Sequence, residues 1–345
     1  MARVMKAEEM RAAVDLRHAK TGLGVGAIAG ATYGLVGVVG GIALAWDPLA
    51  SATGIVTAAL VLAALQMAVG GVWVTLFNVV TGREREIFRT LRTKPGLVVM
   101  AGSLFGGVLA MVGFWIGLSM TTPAYALAIS AMFPIVGSIF AGIFLKERIL
   151  RRVWLGVALA VLGAIVVGWT PPEGEYPHFY LGLVLCGLAT LGWGLEGVIA
   201  AFGMDMVDPA VAVNIRELTA GLVFILFVFP FVVLYGGDAY ATLGRLFTVG
   251  VSTGAIWLIL LCAGLQATTD LTWYRAMNTT GVARAMALNV TYAFWGILFG
   301  FLLSRVSQSV VFVFNGYLVV GAIFIVLGVI LVIAHPRELV KLRNR

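Results

Sequence analysis

The stretch Tyr33-Gly34-Leu35-Val36-Gly37-Val38 returns 160 positions later as Trp193-Gly194-Leu195-Glu196-Gly197-Val198, identical at four of six places. Both copies sit inside long apolar segments. A second register, shifted by 158, lays Trp115 on Trp273, Thr121-Thr122 on Thr279-Thr280, Ile139 on Ile297, Gly142 on Gly300, Leu145 on Leu303 and Gly163 on Gly321. Such long-period self-similarity marks a chain built from two related halves.

A helix needs about 20 apolar residues to cross the hydrocarbon of a bilayer. Cutting the chain at its polar breaks leaves ten segments: 21–45, 54–80, 96–118, 122–145, 153–170, 179–203, 210–235, 252–275, 281–303 and 310–334. Five crossings per half is an odd number, so the second copy enters the membrane from the opposite face. The expected fold is therefore an all-α membrane protein of ten transmembrane helices, arranged as two inverted five-helix repeats. The first repeat covers 21–170 and the second 179–334, between cytoplasmic tails at 1–20 and 335–345.

Composition agrees with the bilayer as solvent. Hydrophobic residues make up 61% of the chain and charged ones 11%, with a mean hydropathy of +1.03, which excludes an ordinary water-soluble domain. Transmembrane β-strands would be shorter and alternating. The net charge of +7 does not point to nucleic acid, because the basic residues cluster between apolar spans. Eighteen of the 23 Lys and Arg lie in 1–20, 81–95, 146–152 and 335–345, whereas the other side would carry Arg245 and Arg305 alone. That bias predicts a multi-pass protein of the cell membrane with both termini cytoplasmic. The first twenty residues lack the apolar run of a cleavable signal. Cys186 and Cys262 fall within apolar segments and read as small buried side chains.

Gly22, Gly26, Gly30 and Gly34 recur every four residues. They give the first helix a Cβ-free stripe against which another backbone can pack, or along which the helix can rock.

Ionisable side chains in hydrocarbon are costly and mark function or pairing. Six fall inside the segments, all in the second half: Glu196, Arg216, Glu217, Asp270, Arg275 and Arg284. Spacing from the cytoplasmic ends places Glu196, Glu217 and Asp270 at one depth, about 7–11 Å inside the boundary. The arginines can snorkel to that boundary and pair with Glu217 or Asp270, or these groups can serve proton coupling. Glu196 stands apart. It follows Trp193 by three residues, on nearly the same face, with Gly194 and Gly197 leaving room beside it. An indole beside a carboxylate in a dry pocket stabilises an organic cation.

Asn289 and Tyr292 are also three apart and point a carboxamide and a phenol the same way. Tyr33, the mate of Trp193, and the mated pair Trp115 and Trp273 complete a candidate aromatic cage. Trp46 and Trp169 need only the reading of interface anchors.

No enzyme is expected. Gly250-Val251-Ser252-Thr253-Gly254 has nucleophile-elbow spacing, and His178 would share its side, but the motif opens an apolar span rather than a strand-turn-helix. His18 and His335 lie in opposite tails, so no histidine metal site is formed, and no phosphate-binding loop or cofactor motif is present.

Ala131-Met132-Phe133-Pro134 followed by Gly142-Ile143-Phe144-Leu145-Lys146-Glu147-Arg148 resembles the end of the fourth helix in EamA-type members of the drug/metabolite transporter superfamily. The second copy departs from that pattern, with Tyr292 in place of Pro134 and Arg305 in place of Glu147. Trp193-Gly194-Leu195-Glu196, Ile215-Arg216-Glu217 and Asn289 through Trp295 resemble the bacterial choline permeases of the Lic type. Tyr33 stands where those relatives commonly carry Trp. The resemblance implies a secondary transporter for a quaternary ammonium cation, consistent with the cage read from Trp193, Glu196 and Tyr292. Its partners would be that small cation and the lipid bilayer, with a homodimer left open. The alternative is a proton-coupled exporter of amino acids or other metabolites, in which arginines would hold a substrate carboxylate.

Overall fold

The computed structural model describes residues 2–54, 56–121, 123–168, 177–305 and 316–333. Among them every regular element is helical and no strand occurs. The principal helices are α1 (Ala2–Leu44), α2 (Thr57–Val80), α3 (Lys94–Met120), α4 (Pro123–Ser130), α5 (Phe133–Phe144), α6 (Arg151–Gly168), α7 (Phe179–Gly203), α8 (Pro209–Leu234), α9 (Ala255–Thr280), α10 (Val282–Asn289), α11 (Tyr292–Ser304) and α12 (Gly316–Ile333). Among the described residues seven runs are long and apolar enough to cross a membrane: Lys20–Leu44, α2, α3, α7, α8, α9 and the run Val282–Ser304 formed by α10 and α11. α5 and Gly316–Val332 are shorter apolar helices.

The local chemistry of each helix explains its shape. Thr93 caps α3 by accepting the Gly96 N–H, and Asp208 caps α8 by accepting the Ala210 N–H. In α8 a π-turn at Phe224–Val228 precedes Pro230, whose ring removes one backbone donor. Pro134 likewise follows the interruption between α4 and α5 at Ala131 and Met132, which the expected single segment 122–145 did not contain. Segment 281–303 is interrupted too, at Val290 and Thr291, the corresponding place in the second half. No proline lies there; Thr291 Oγ1 donates to the Leu288 carbonyl at 2.6 Å instead.

The glycine stripe of α1 is where two backbones meet. Gly26 faces Leu288 and Ala276, and a Cβ on Gly34 would lie 2.8 Å from both the Gly296 nitrogen and the Tyr292 carbonyl. α1 thereby packs along α9, α10 and α11. α6 and α12 form a second close pair through Gly156, Gly163, Gly321 and Gly328. Segment 179–203 agrees with α7 at both ends, and 54–80 with α2 at its C-terminal end, the helix beginning at Thr57. α9, the counterpart of segment 252–275, runs to Thr280.

The face on which Lys20, Val80, Lys94, Gly203 and Thr280 lie is called the N-terminal face below; Leu44, Thr57 and Met120 mark the opposite face.

Candidate functional site

A cavity of about 350 Å³ is lined from α1, α2, α3, α4, α5, α7, α8, α9, α10 and α11. It takes in Tyr33, Trp115, Trp193, Glu196, Trp273, Asn289 and Tyr292, the full set of substrate-binding candidates read from the sequence. On α1 its lining runs from Tyr33 to Leu44, and Leu62 and Leu118 also line it. The space therefore extends from the middle of the helix bundle toward the opposite face.

Aromatic rings gather on one part of its wall, among aliphatic, glycine and polar residues. Tyr33 and Tyr292 meet edge to face with centroids 5.1 Å apart. Phe114 stands between Trp115 and Trp193, at 5.3 and 5.6 Å, and Phe133 lies 6.4 Å from Trp193. Phe114, Phe133, Gln66 and Gln266 were not singled out in the sequence. Gln266 had a usable signal, since it precedes Asp270 by one helical turn and donates to Asp270 Oδ2 at 2.8 Å. Asn289 ends α10 and Tyr292 begins α11, so they reach the cavity from either side of a helix break rather than from one continuous face.

The base of the cavity is ionic. Arg216 is 4% exposed and does not snorkel, contrary to the expectation from its position near the boundary. Its Nε donates to Glu196 Oε1 at 2.6 Å, its NH1 to Asp270 Oδ2 at 3.1 Å, and the same NH1 pairs with Glu217 Oε1. Tyr274 donates its hydroxyl to Glu196 Oε1 at 3.2 Å, and Ser103 donates to the Arg216 carbonyl at 2.8 Å. Three carboxyl groups thus share one guanidinium. Glu196, Arg216 and Asp270 line the cavity, whereas Glu217 stands behind Arg216 against Gly70. Asp270 lies ten residues before the end of α9, deeper than the expected segment end at 275 implied.

The expected lone carboxylate beside Trp193 is therefore one member of a cluster. Gly106, in the π-turn Leu104–Ala110 of α3, gives Glu196 its space, because a Cβ there would overlap the carboxylate. Arg275 is exposed on α9. Arg284 does not reach the main cavity; it lines a second one of about 190 Å³ at the N-terminal face with Glu147, Arg148 and Asp205. There burial pushes the Glu147 carboxyl above the usual carboxylate range, against the Val282 and Ala283 N–H groups that favour the anion. Trp46 is half-buried near the opposite face, and Trp169 lies outside the described residues.

The elbow-like Ser252 sits in a short helix, Val249–Thr253, and donates to the Val249 carbonyl at 2.8 Å. That is not a strand-turn-helix. Among the described residues no His, Cys, Asp and Glu group could hold a metal ion.

Residues 20–169 match the EamA-like transporter family. Protein LicB of Haemophilus influenzae is 24% identical over 204 residues, 59% of this chain. The match spans 65% of LicB's own length. A solved crystal structure superposes on 90% of this chain and 97% of its own, with a TM-score of 0.67 at 17% identity, a likeness of fold alone. The family matched over 20–169 is one of transporters, and the apolar helices are those of a multi-pass membrane protein.

Proposed function

We propose that the chain is a secondary transporter that takes up choline or a related quaternary ammonium cation by alternating access. Two inverted five-helix repeats, 21–170 and 179–334, enclose the cavity, and the N-terminal face is the cytoplasmic one. The observation that carries this reading is a cavity walled by Tyr33, Trp115, Trp193, Trp273 and Tyr292 whose floor holds more carboxylates than cations. A trimethylammonium group donates no hydrogen bond, so ring faces and an excess of carboxyl groups over cationic ones suit it. The likeness to LicB and the matched helix breaks at 131–132 and 290–291 support the same reading.

The rival, an amino-acid exporter, needs a cation free to hold a substrate carboxylate. Arg216 is already engaged by three side chains, which disfavours it. An inside-negative potential favours entry of a monovalent cation by about 2.3 kcal/mol per 100 mV, so uptake requires no coupled ion. Proteoliposomes loaded with potassium and made inside-negative with valinomycin test this. Labelled choline should accumulate and collapse out when the potential is removed. No accumulation of choline, with accumulation of an amino acid under a proton gradient, would replace this reading with the rival.

A further inference from the structure

The second cavity holds a contact that the cation site does not use. Glu147 follows α5, in the first half, and its Oε1 accepts the backbone N–H of Val282 at 2.9 Å. Val282 is the first residue of α10, in the second half. The opening N–H groups of a helix have no partner within it. Gly281 at the N-cap has no side chain to supply one, so the cap comes from a residue 135 positions away.

Two backbone features serve this contact. Gly281 adopts φ +86°, and a Cβ there would lie 3.1 Å from Glu147 Oε1 and 3.2 Å from Oε2. Lys146 adopts φ +53°, a left-handed conformation that a lysine takes at a cost, and it directs the following Glu147 toward α10. α10 then runs to Asn289 in the wall of the main cavity. The described cavity extends toward the opposite face, so at the N-terminal face this bond is closed while the site is reached from the other side.

We propose that Glu147 is the latch of the N-terminal face: its bond to Val282 holds α10 shut against the end of α5, and breaks when the protein opens to that face. This rests on the alternating-access reading above. Glu147 is a positioning residue, acting on Asn289 through α10 and touching no substrate. Arg148, Asp205, Asn278 and Arg284 line the same cavity, and Asn278 Nδ2 donates to the Met204 carbonyl at 3.3 Å, a second tie between α9 and the end of α7.

The test is made on the full chain in proteoliposomes without substrate. Ala283, buried in the wall of the second cavity, is replaced by cysteine and labelled from the N-terminal side with a membrane-impermeant maleimide, with the protein lacking this substitution as the blank. Glu147→Ala should raise the labelling rate about tenfold, the scale of a lost helix cap. Glu147→Gln, whose amide oxygen still accepts the Val282 N–H, should stay within about twofold of the parent. Gly281→Ala should raise labelling with Glu147 intact, which keeps the proposal testable if Glu147→Ala does not fold. Parent-like labelling of both Glu147→Ala and Gly281→Ala would overturn the latch, as would Glu147→Gln labelling as fast as Glu147→Ala. Choline uptake by the parent with no change in labelling sinks the latch alone; faster labelling without choline uptake sinks the substrate reading alone.

Discussion

Arg216 Nε lies 2.6 Å from Glu196 Oε1, and this one contact joins the cavity's aromatic wall on α7 to its ionic floor on α8. The guanidinium is shared with Glu217 and Asp270, so its loss would strand three acids in a dry interior. Arg216→Met is expected to destabilise the protein by about 3–5 kcal/mol, the cost of breaking a buried ionic cluster from one side. Thermal unfolding in detergent, compared with Arg216→Lys, measures it; a variant that melts with the parent would contradict the cluster.

Glu196→Gln leaves Arg216 its other two partners and keeps the hydrogen bond to Tyr274 feasible. Folding should change little. Choline affinity should fall about tenfold, close to 1.4 kcal/mol, from the lost negative charge at the floor of the cavity. Isothermal titration at fixed ionic strength reads the difference, and unchanged affinity would remove Glu196 from the site.

Gly163 and Gly321, mates in the sequence repeat, pack reciprocally: a Cβ on either would lie 2.6 Å from the other's carbonyl oxygen. Helix pairs of this kind depend on small residues. Gly163→Leu or Gly321→Leu should each cost about 1–3 kcal/mol, as overpacked interiors do. The two should be less than additive in combination, since each alone already separates α6 from α12. Full additivity in a double-mutant cycle would mean that the pair does not touch.

At the opposite face Asp238 accepts the Thr53 N–H at 2.7 Å, the Thr242 hydroxyl at 3.0 Å and Arg245 NH2 at 2.7 Å. Burial alone would lift its carboxyl, but these donors outweigh burial and hold it below the usual carboxylate range. A lowered carboxyl contributes stability above about pH 4, lost as pH falls through its folded value. The melting temperature of the parent should therefore drop more steeply than that of Asp238→Asn between pH 5 and 3, on the scale of those pKa values. Parallel curves would show that Asp238 ties nothing down.

Much of this was legible in the sequence because bilayer crossing demands long apolar runs, and those runs are explicit. Segment 179–203 needed only counting, and the cage candidates followed from aromatics near rare charges and from the repeat. The partner of Glu196 was not legible. Depth along a helix places Glu196 and Glu217 at one level and Arg216 nearer the boundary, but which faces turn toward each other depends on how α7 and α8 pack. The helix breaks were half legible: Pro134 announces the first, while the second rests on α1 packing its glycines against Leu288 and Thr291, a tertiary cause.

The central claim is that rings and net negative charge in the main cavity hold an organic cation. Choline titrated into the purified protein while its melting temperature is followed tests this most directly. At about a hundredfold over its dissociation constant, choline should stabilise the folded state by about 2.7 kcal/mol. That gain should vanish in Trp193→Ala and shrink in Glu196→Gln, and amino acids should give none. An unmoved melting temperature with choline, or an equal rise in Trp193→Ala, would contradict the account.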